Sequence, residues 1–234
     1  MNIAIIGYGK MGQSVEAIAT QRGHTITHKL RSADTWTSND LEGADAAIEF
    51  TEPEAAVESI FKCFEARVPV VVGTTGWYDR YHEVEDAARS HNGTLLHATN
   101  FSLGVNIFFE INRQLARVMN RYPAYDITMQ ETHHTEKLDA PSGTAITLAK
   151  DVLSAVDRKS SYNQTGEESF PIDSVREANV PGTHVVSWDS DIDQLELKHT
   201  AKNRHGFASG AVVAAEWLQG KNGIYTMKDL LNFS

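Results

Sequence analysis

Twelve residues, His133 to Thr144 (H-H-T-E-K-L-D-A-P-S-G-T), gather two imidazoles, an ammonium group and a Ser-Gly-Thr turn. They follow a strand-like run, Ala124 to Glu131, and precede an apolar helical run, Ala145 to Leu153. The start of such a helix offers free backbone N–H groups and a partial positive charge, and so binds carboxylate or phosphate. Lys137 supplies a point charge, and His133 and His134 supply proton-transfer groups whose pKa values can be tuned towards neutrality. The combination reads as a site for a small anion that receives a proton. Capping alone would explain Pro141-Ser142-Gly143-Thr144, but not the His-His pair and the lysine upstream. A metal centre fits less well. Adjacent histidines on a strand point to opposite faces, and no second Cys or His pair stands at ligand spacing nearby. The expectation is therefore no metal.

The elements that must position this segment begin at the N-terminus. Asn2 to Ile6 (N-I-A-I-I) is an apolar run suited to a buried parallel strand. It leads into Gly7-Tyr8-Gly9-Lys10-Met11-Gly12, then a helix-periodic stretch to about Gln21, then a strand at His24 to His28. A lone G-x-G-x-x-G is a weak signal, but strand before, helix after and a second strand one βαβ unit on are the context of a dinucleotide site. Gly7 would make the tight turn, Gly9 would let the backbone approach a pyrophosphate, and Gly12 would let helix and strand pack closely. An NAD-preferring site carries an acid at the end of the second strand. Here the chain reads His28-Lys29-Leu30-Arg31-Ser32, with no acid until Asp34. Lys29, Arg31 and Ser32 suit a 2′-phosphate instead, so NADPH is the expected cofactor, with NADH possible.

Composition agrees with an ordinary globular protein. Hydrophobic residues make up 41% and charged residues 22% of 234. A formal charge of −10 argues against a nucleic-acid surface and against an acidic bilayer. Positive charge must then be concentrated where an anionic ligand binds. No apolar run reaches the roughly 18 residues a membrane span needs, and the first apolar stretch is too short for a signal peptide. The single cysteine, Cys63, permits no intrachain disulfide and suits the cytoplasm; its helical context, Ala55 to Ala66, makes it core packing.

The first hundred residues alternate strand and helix. Ala44–Phe50, Val68–Val72 and Thr94–Ala98 read as strands ending in Thr51, in Gly73-Thr74-Thr75-Gly76 and in Thr99-Asn100-Phe101-Ser102. Polar and glycine-rich strand ends are what a cofactor crevice presents in an open parallel sheet. A helix follows at Val105 to Met119. The texture then changes to strand-like runs at Asp126–Glu131, His184–Trp188 and Gln194–Thr200, with a polar, mobile loop over Ser154–Glu168. A late helix, Ala211 to Leu218, returns to the first domain. The expected fold class is thus α/β: a Rossmann-type parallel-sheet domain over 1–103 and 210–234, plus a smaller α+β substrate-binding domain with a mixed sheet over 104–209. Leu103-Gly104 and Ser209-Gly210 are the expected hinges.

The sequence resembles the 4-hydroxy-tetrahydrodipicolinate reductase (dihydrodipicolinate reductase) family of diaminopimelate and lysine synthesis. The resemblance rests on Gly7–Gly12, Glu49-Phe50-Thr51 with Pro53-Glu54, Gly73-Thr74-Thr75 and Asn100-Phe101-Ser102. It rests also on the specific segment E-x-H-H-x-x-K-x-D-x-P-S-G-T from Glu131 to Thr144, and on Gly206-Phe207 and Gly210-Ala211. It implies that His133 is a proton donor/acceptor and Lys137 a proton donor. It further implies that His134 binds substrate, and that the Ser142-Gly143-Thr144 turn takes a substrate carboxylate. Gly7 to Gly12, Gly73 to Thr75 and Thr99 to Ser102 would contact the nicotinamide nucleotide. A small dicarboxylate substrate, domain closure and a homotetramer built through the second domain are also implied. Arg31 departs from the acid that many members carry there, and the short stretch between the second and third strands trims surface helices rather than chemistry. Three other readings remain at this point, one of them a metal-dependent hydrolase, which would lose activity with chelator and show no nicotinamide dependence. Another two-domain Rossmann reductase of an amino acid or semialdehyde would lack the His-His-x-x-Lys segment, and a non-catalytic nucleotide sensor would have no need of it.

Overall fold

The computed structural model describes residues 1–31, 34–203 and 205–233. Along the chain run β1 (Asn2–Ile6), α1 (Lys10–Gln21), β2 (Thr25–Leu30), β3 (Ala46–Glu49), α2 (Pro53–Glu65), β4 (Val70–Val72), α3 (Tyr81–His91) and β5 (Thr94–His97). There follow α4 (Leu103–Met119), β6 (Asp126–His133), α5 (Gly143–Leu153), β7 (Ser161–Tyr162), β8 (Ser169–Phe170), β9 (Ile172–Arg176), β10 (Thr183–Asp189) and β11 (Gln194–Thr200). The chain closes with α6 (His205–Trp217), β12 (Gly223–Tyr225) and α7 (Met227–Leu231). It forms two compact units, Met1–Leu103 with His205–Ser234, and Gly104–Arg204.

In the first unit six strands make one sheet in the order β12-β5-β4-β3-β1-β2, and every pair is parallel. β1, β3 and β4 are buried almost throughout, because helices cover both faces. One core lies under α2 and α3, with Ile60, Phe64 and Leu95. The other lies under α1 and α6, with Ile5, Val15 and Val212. From β1 the chain goes to β2 on one side and then to β3 on the other, so the strand order reverses between β1 and β3. In open α/β sheets the ligand crevice lies at that reversal, beyond the C-terminal strand ends.

α6 starts earlier than its apolar pattern suggests, and its whole length belongs to the first unit. The second crossing therefore falls between 204 and 205 rather than at 210. Gly210 lies inside the helix, where a Cβ would stand 1.7 Å from the carbonyl oxygen of Phe101. The expected hinge at Ser209-Gly210 is corrected: Gly210 is a site of close packing between α6 and the turn after β5, and helical hydrogen bonding leaves it no freedom to pivot. α7 and β12 also complete this unit.

In the second unit the sheet order is β11-β10-β6-β9. β10 is antiparallel to both neighbours and β9 parallel to β6, which makes the sheet mixed. β6 alternates strictly, burying Ile127, Met129, Glu131 and His133 on one face. That period of two carries the strand two residues further than the expected Glu131 end. α4 and α5 pack Phe108, Leu148 and Val152 against Met129, Val186 and Trp188. The stretch expected as a loop, Ser154–Glu168, contains β7. It is tied down by the buried Lys159, whose ammonium donates to the Glu167 carbonyl at 2.6 Å and pairs with Asp126 at 2.7 Å. Among the described residues no helix is long and apolar enough to cross a membrane.

Candidate active site

The turn after β1 has the geometry a pyrophosphate loop requires. Gly7 holds φ +92°, and a Cβ there would lie 2.0 Å from the Phe50 carbonyl oxygen, so no other residue fits. Its amide and that of Tyr8 both donate to the Leu30 carbonyl, at 2.8 and 3.1 Å, lashing the turn to the end of β2. A Cβ on Gly12 would meet the Gly7 carbonyl oxygen at 2.5 Å, which is the close helix–strand approach. Around the Cβ position of Gly9 nothing lies within 4 Å. The backbone of Gly9 thus faces open space at the N-terminus of α1, where Lys10 and Met11 begin the helix and its first turn carries no acidic residue. These residues fit a dinucleotide.

The end of β2 is more elaborate than its sequence. Glu16, on α1, pairs with Lys29 at 2.6 Å and accepts a short hydrogen bond from the Tyr8 hydroxyl, while the Lys29 ammonium sits 5.1 Å from the Tyr8 ring centre. Lys29 is therefore already neutralised by an acid that the linear reading does not place there. The Arg31 guanidinium is exposed and makes no hydrogen bond or ion pair with the described residues; its backbone N–H donates to Asp34 at 2.7 Å. Ser32 lies outside the described residues.

The other strand ends divide between structure and access. Thr74 is buried, donating its hydroxyl to Glu49 at 2.9 Å and accepting the Thr51 amide at 2.8 Å. Phe101 is core, edge-on to Phe50 with ring centres 6.1 Å apart. For these two only the backbone is left for a cofactor. Gly73 donates its amide to the Glu49 carbonyl at 2.9 Å, Thr75 is exposed, and the Asn100 side chain accepts the Ser102 amide at 2.8 Å, closing the turn that follows Thr99.

Glu49 itself is fully buried, and burial raises its carboxyl above the ordinary value of 4.5 against the opposing hydrogen bonds of Thr51 and Thr74. An acid held protonated in the folded state loses stability as pH rises above its unfolded pKa, because the unfolded chain releases the proton first. Glu49→Gln keeps the acceptor oxygen and removes the titration. The melting temperature of the variant relative to the parent should accordingly climb from pH 4.5 to pH 7 in scanning calorimetry. A difference that stays constant across that range would mean that folded Glu49 is ionised.

In the second unit the chemistry gathers on β6 and the loop that follows it. Glu131 and His133 share the buried face at i and i+2, and His184 on β10 stands directly opposite Glu131 in the register. Glu131 is 0%, His184 5% and His133 9% exposed. The Glu131 carboxylate accepts the Ser142 amide at 3.0 and 3.1 Å and the Ser174 hydroxyl at 2.8 Å. Burial opposes its ionisation, but the nearby His184 imidazole together with hydrogen bonds from Ser142 and Ser174 prevails and holds it at about 2. Burial and the neighbouring His184 depress the His133 imidazole, with Lys137 and Arg176 adding to the effect and Glu131 opposing it, which favours the neutral ring.

Lys137 sits in the following turn, its ammonium donating to Asp139 at 2.8 and 2.9 Å. Arg176, from β9, donates to the backbone carbonyls of Lys137 at 3.1 Å and Asp139 at 2.7 Å, fixing the loop independently of its side chains. Ser142 caps α5, accepting the Ala145 amide at 3.2 Å, and its hydroxyl also lies 3.2 Å from His184 Nε2. Ser142 was expected to bind substrate, yet it is buried and its polar atoms serve the cap, Glu131 and His184. Its role is to hold the helix start. The amides of Gly143 and Thr144 have no partner among the described residues, as an anion site at a helix N-terminus requires. His134 lines a cleft of about 430 Å³ in this unit, together with Glu136, Pro181 and Lys202.

Comparison with known proteins identifies this arrangement. Residues 1–101 match the family model described as dihydrodipicolinate reductase, N-terminus, and residues 104–231 that described as dihydrodipicolinate reductase, C-terminus. The chain belongs to the dihydrodipicolinate reductase family. It is 48% identical over 235 residues to the 4-hydroxy-tetrahydrodipicolinate reductase of Christiangramia forsetii, covering 99% of this chain and 98% of that one. To the 4-hydroxy-tetrahydrodipicolinate reductase of Neisseria gonorrhoeae it is 34% identical, over 94% of this chain and 84% of the other. Among solved structures, the dipicolinate-bound dihydrodipicolinate reductase of Paenisporosarcina sp. TG-14 shares the fold with a TM-score of 0.80 at 20% identity, covering 97% of each chain.

For a dihydrodipicolinate reductase, sequence reasoning singled out His133, His134 and Lys137 but passed over three residues that surround them. Glu131 was visible only as a motif letter. His184 lies in a run whose hydropathy marks a strand and nothing else. Arg176 lies in β9, whose alternation is blurred by Asp173 and Ser174. Only a signal across the sheet, the pairing of β10 with β6, brings His184 to Glu131.

Proposed function

We propose that this dihydrodipicolinate reductase-family chain reduces 4-hydroxy-tetrahydrodipicolinate to tetrahydrodipicolinate with a nicotinamide nucleotide, and that His133 and Lys137 handle the proton. The observation that carries the reading is that the second unit holds, between β6 and the start of α5, a buried His133, the Lys137–Asp139 pair and the two open amides of Gly143 and Thr144. The Gly143 and Thr144 amides take one carboxylate of the dicarboxylate substrate, with the helix dipole adding to the attraction. His134 flanks the substrate from the cleft it lines. The 4-hydroxyl leaves with a ring hydrogen as water, and the reduction then takes up one proton; Lys137, paired with Asp139, presents that proton to the ring and regains one from solvent, with the His133 imidazole placed to relay it. When bound, the nicotinamide nucleotide supplies the hydride; Gly7, Gly9 and Gly12 shape the turn that holds its pyrophosphate, and the backbones of Gly73–Thr75 and Thr99–Ser102 border it.

The test is oxidation of NADPH and of NADH by the purified protein with freshly synthesised substrate, with and without chelator. Substrate-dependent oxidation of either nucleotide is expected. Its absence with both, from folded protein, sinks the assignment.

The second unit also supports the reading of a homotetramer. Thr128, Gln130 and Thr132 alternate with the buried residues of β6, on the sheet face opposite the packed core. An open sheet face of this kind suits a symmetric contact between copies. Light scattering should give a mass four times that of the chain, reduced by Thr128→Arg; a monomer at assay concentration would refute it.

A further inference from the structure

His133, His184 and Glu131 turn three ligand atoms towards one another. His133 Nε2 lies 3.3 Å from His184 Nε2 and 3.5 Å from Glu131 Oε2, and His184 Nε2 lies 3.7 Å from Glu131 Oε2. Tetrahedral zinc, with bonds of about 2.0–2.2 Å to nitrogen and oxygen, spaces its ligand atoms roughly 3.3–3.6 Å apart. The three atoms thus span a triangle close to one face of such a tetrahedron. Two imidazoles and a carboxylate form a set that zinc accepts, with the fourth position left for water. The scaffold is rigid: two ligands sit at i and i+2 of β6 and the third directly across on β10. Outer hydrogen bonds are in place on the carboxylate, where Ser174 donates to Oε1 and the Ser142 amide to both oxygens, orienting Oε2 towards the imidazoles.

We propose that Glu131, His133 and His184 form a site for a borderline divalent cation, Zn²⁺ foremost, and that its occupancy inhibits the enzyme. A metal on His133 Nε2 removes the lone pair that would accept a proton. Hard ions such as Mg²⁺, which favour oxygen ligands and keep their waters, bind poorly there. The binding half of the proposal stands on geometry alone, whereas the inhibition half rests on the role given to His133 above.

The experiment uses full-length protein stripped with chelator and dialysed, titrated with Zn²⁺ against a chromophoric indicator. One ion per chain is expected, with affinity falling at least tenfold in His184→Ala and in Glu131→Gln. His82→Ala, which removes the exposed His82–Glu85 pair (3.4 Å, His82 side chain 93% exposed), should change nothing. Wild-type protein loaded with Co²⁺ provides a readout that needs no variant to fold, and the intense visible bands of a tetrahedral site are expected. Turnover should fall along the same Zn²⁺ titration, recover with chelator and ignore Mg²⁺. Failure to bind one ion per chain, a weak octahedral Co²⁺ spectrum, or binding lost in His82→Ala but kept in His184→Ala would each overturn the site. Stoichiometric binding at the three residues with undiminished turnover would support the site and overturn the inhibition, and with it the role of His133.

Discussion

Lys137→Ala is expected to lose turnover by about 10²–10⁴-fold, the range a positioned proton-transfer group contributes, while NADPH binds as tightly as before. Both halves follow from placement. Lys137 belongs to the second unit and the glycine turn to the first, so the substitution leaves the turn expected to hold the nucleotide intact. The loop should survive the substitution, since Arg176 holds it through the carbonyls of Lys137 and Asp139 rather than through the lysine side chain. His133→Ala should fall by a comparable factor. Because His133 is packed beside His184 and Glu131, a thermal melt must accompany that variant. The measurements are kcat with saturating substrate and a fluorescence titration of NADPH. If both variants turned over within a few-fold of the parent, the proton would be reaching the substrate from elsewhere.

The second expected result concerns the nucleotide. The wild type should use NADPH at least as well as NADH, and Arg31→Asp should move the ratio of kcat/KM values towards NADH by about ten- to a hundredfold. That range corresponds to roughly 1–3 kcal/mol for a charge-assisted contact to the 2′-phosphate. Arg31 carries the argument because Lys29 is already paired with Glu16. By the same reasoning Glu16→Gln should release Lys29 and raise the NADPH preference further. A parent enzyme at least tenfold better with NADH would refute the assignment of the phosphate to this strand end.

Much of this protein was legible where the determining interactions are local. Ile3 to Ile6 is buried on both faces because it is apolar throughout, and local demands set two of the glycines that follow: a positive φ at Gly7 and the close approach of Gly12 to the Gly7 carbonyl oxygen. The segment from His133 to Thr144 likewise announces a proton-transfer and anion-binding chemistry through residue types alone, and Ser142 caps its helix as a serine before an apolar run should. The mixed second sheet was legible in outline, since β6, β10 and β11 carry recognisable runs.

What the linear order did not contain was contact between distant residues. Glu16 reaches Lys29 only because α1 lies beside the end of β2, which turned an apparently acid-free strand end into an ion pair. Gly210 looked like a pivot until α6 was seen to press it against the Phe101 carbonyl. β9 is mostly exposed and alternates poorly, so nothing local marks it, yet it delivers Arg176 and Ser174 to the site. Most of all, His184 stands 51 positions from His133 and joins it through antiparallel pairing, whose register depends on the buried faces of two strands being matched. Sequence determined which chemical groups this chain carries and which local turns present them; the sheet register decided which of those groups meet, because hydrogen-bonded pairing, unlike helix periodicity, is set by residues that have no proximity until the chain folds.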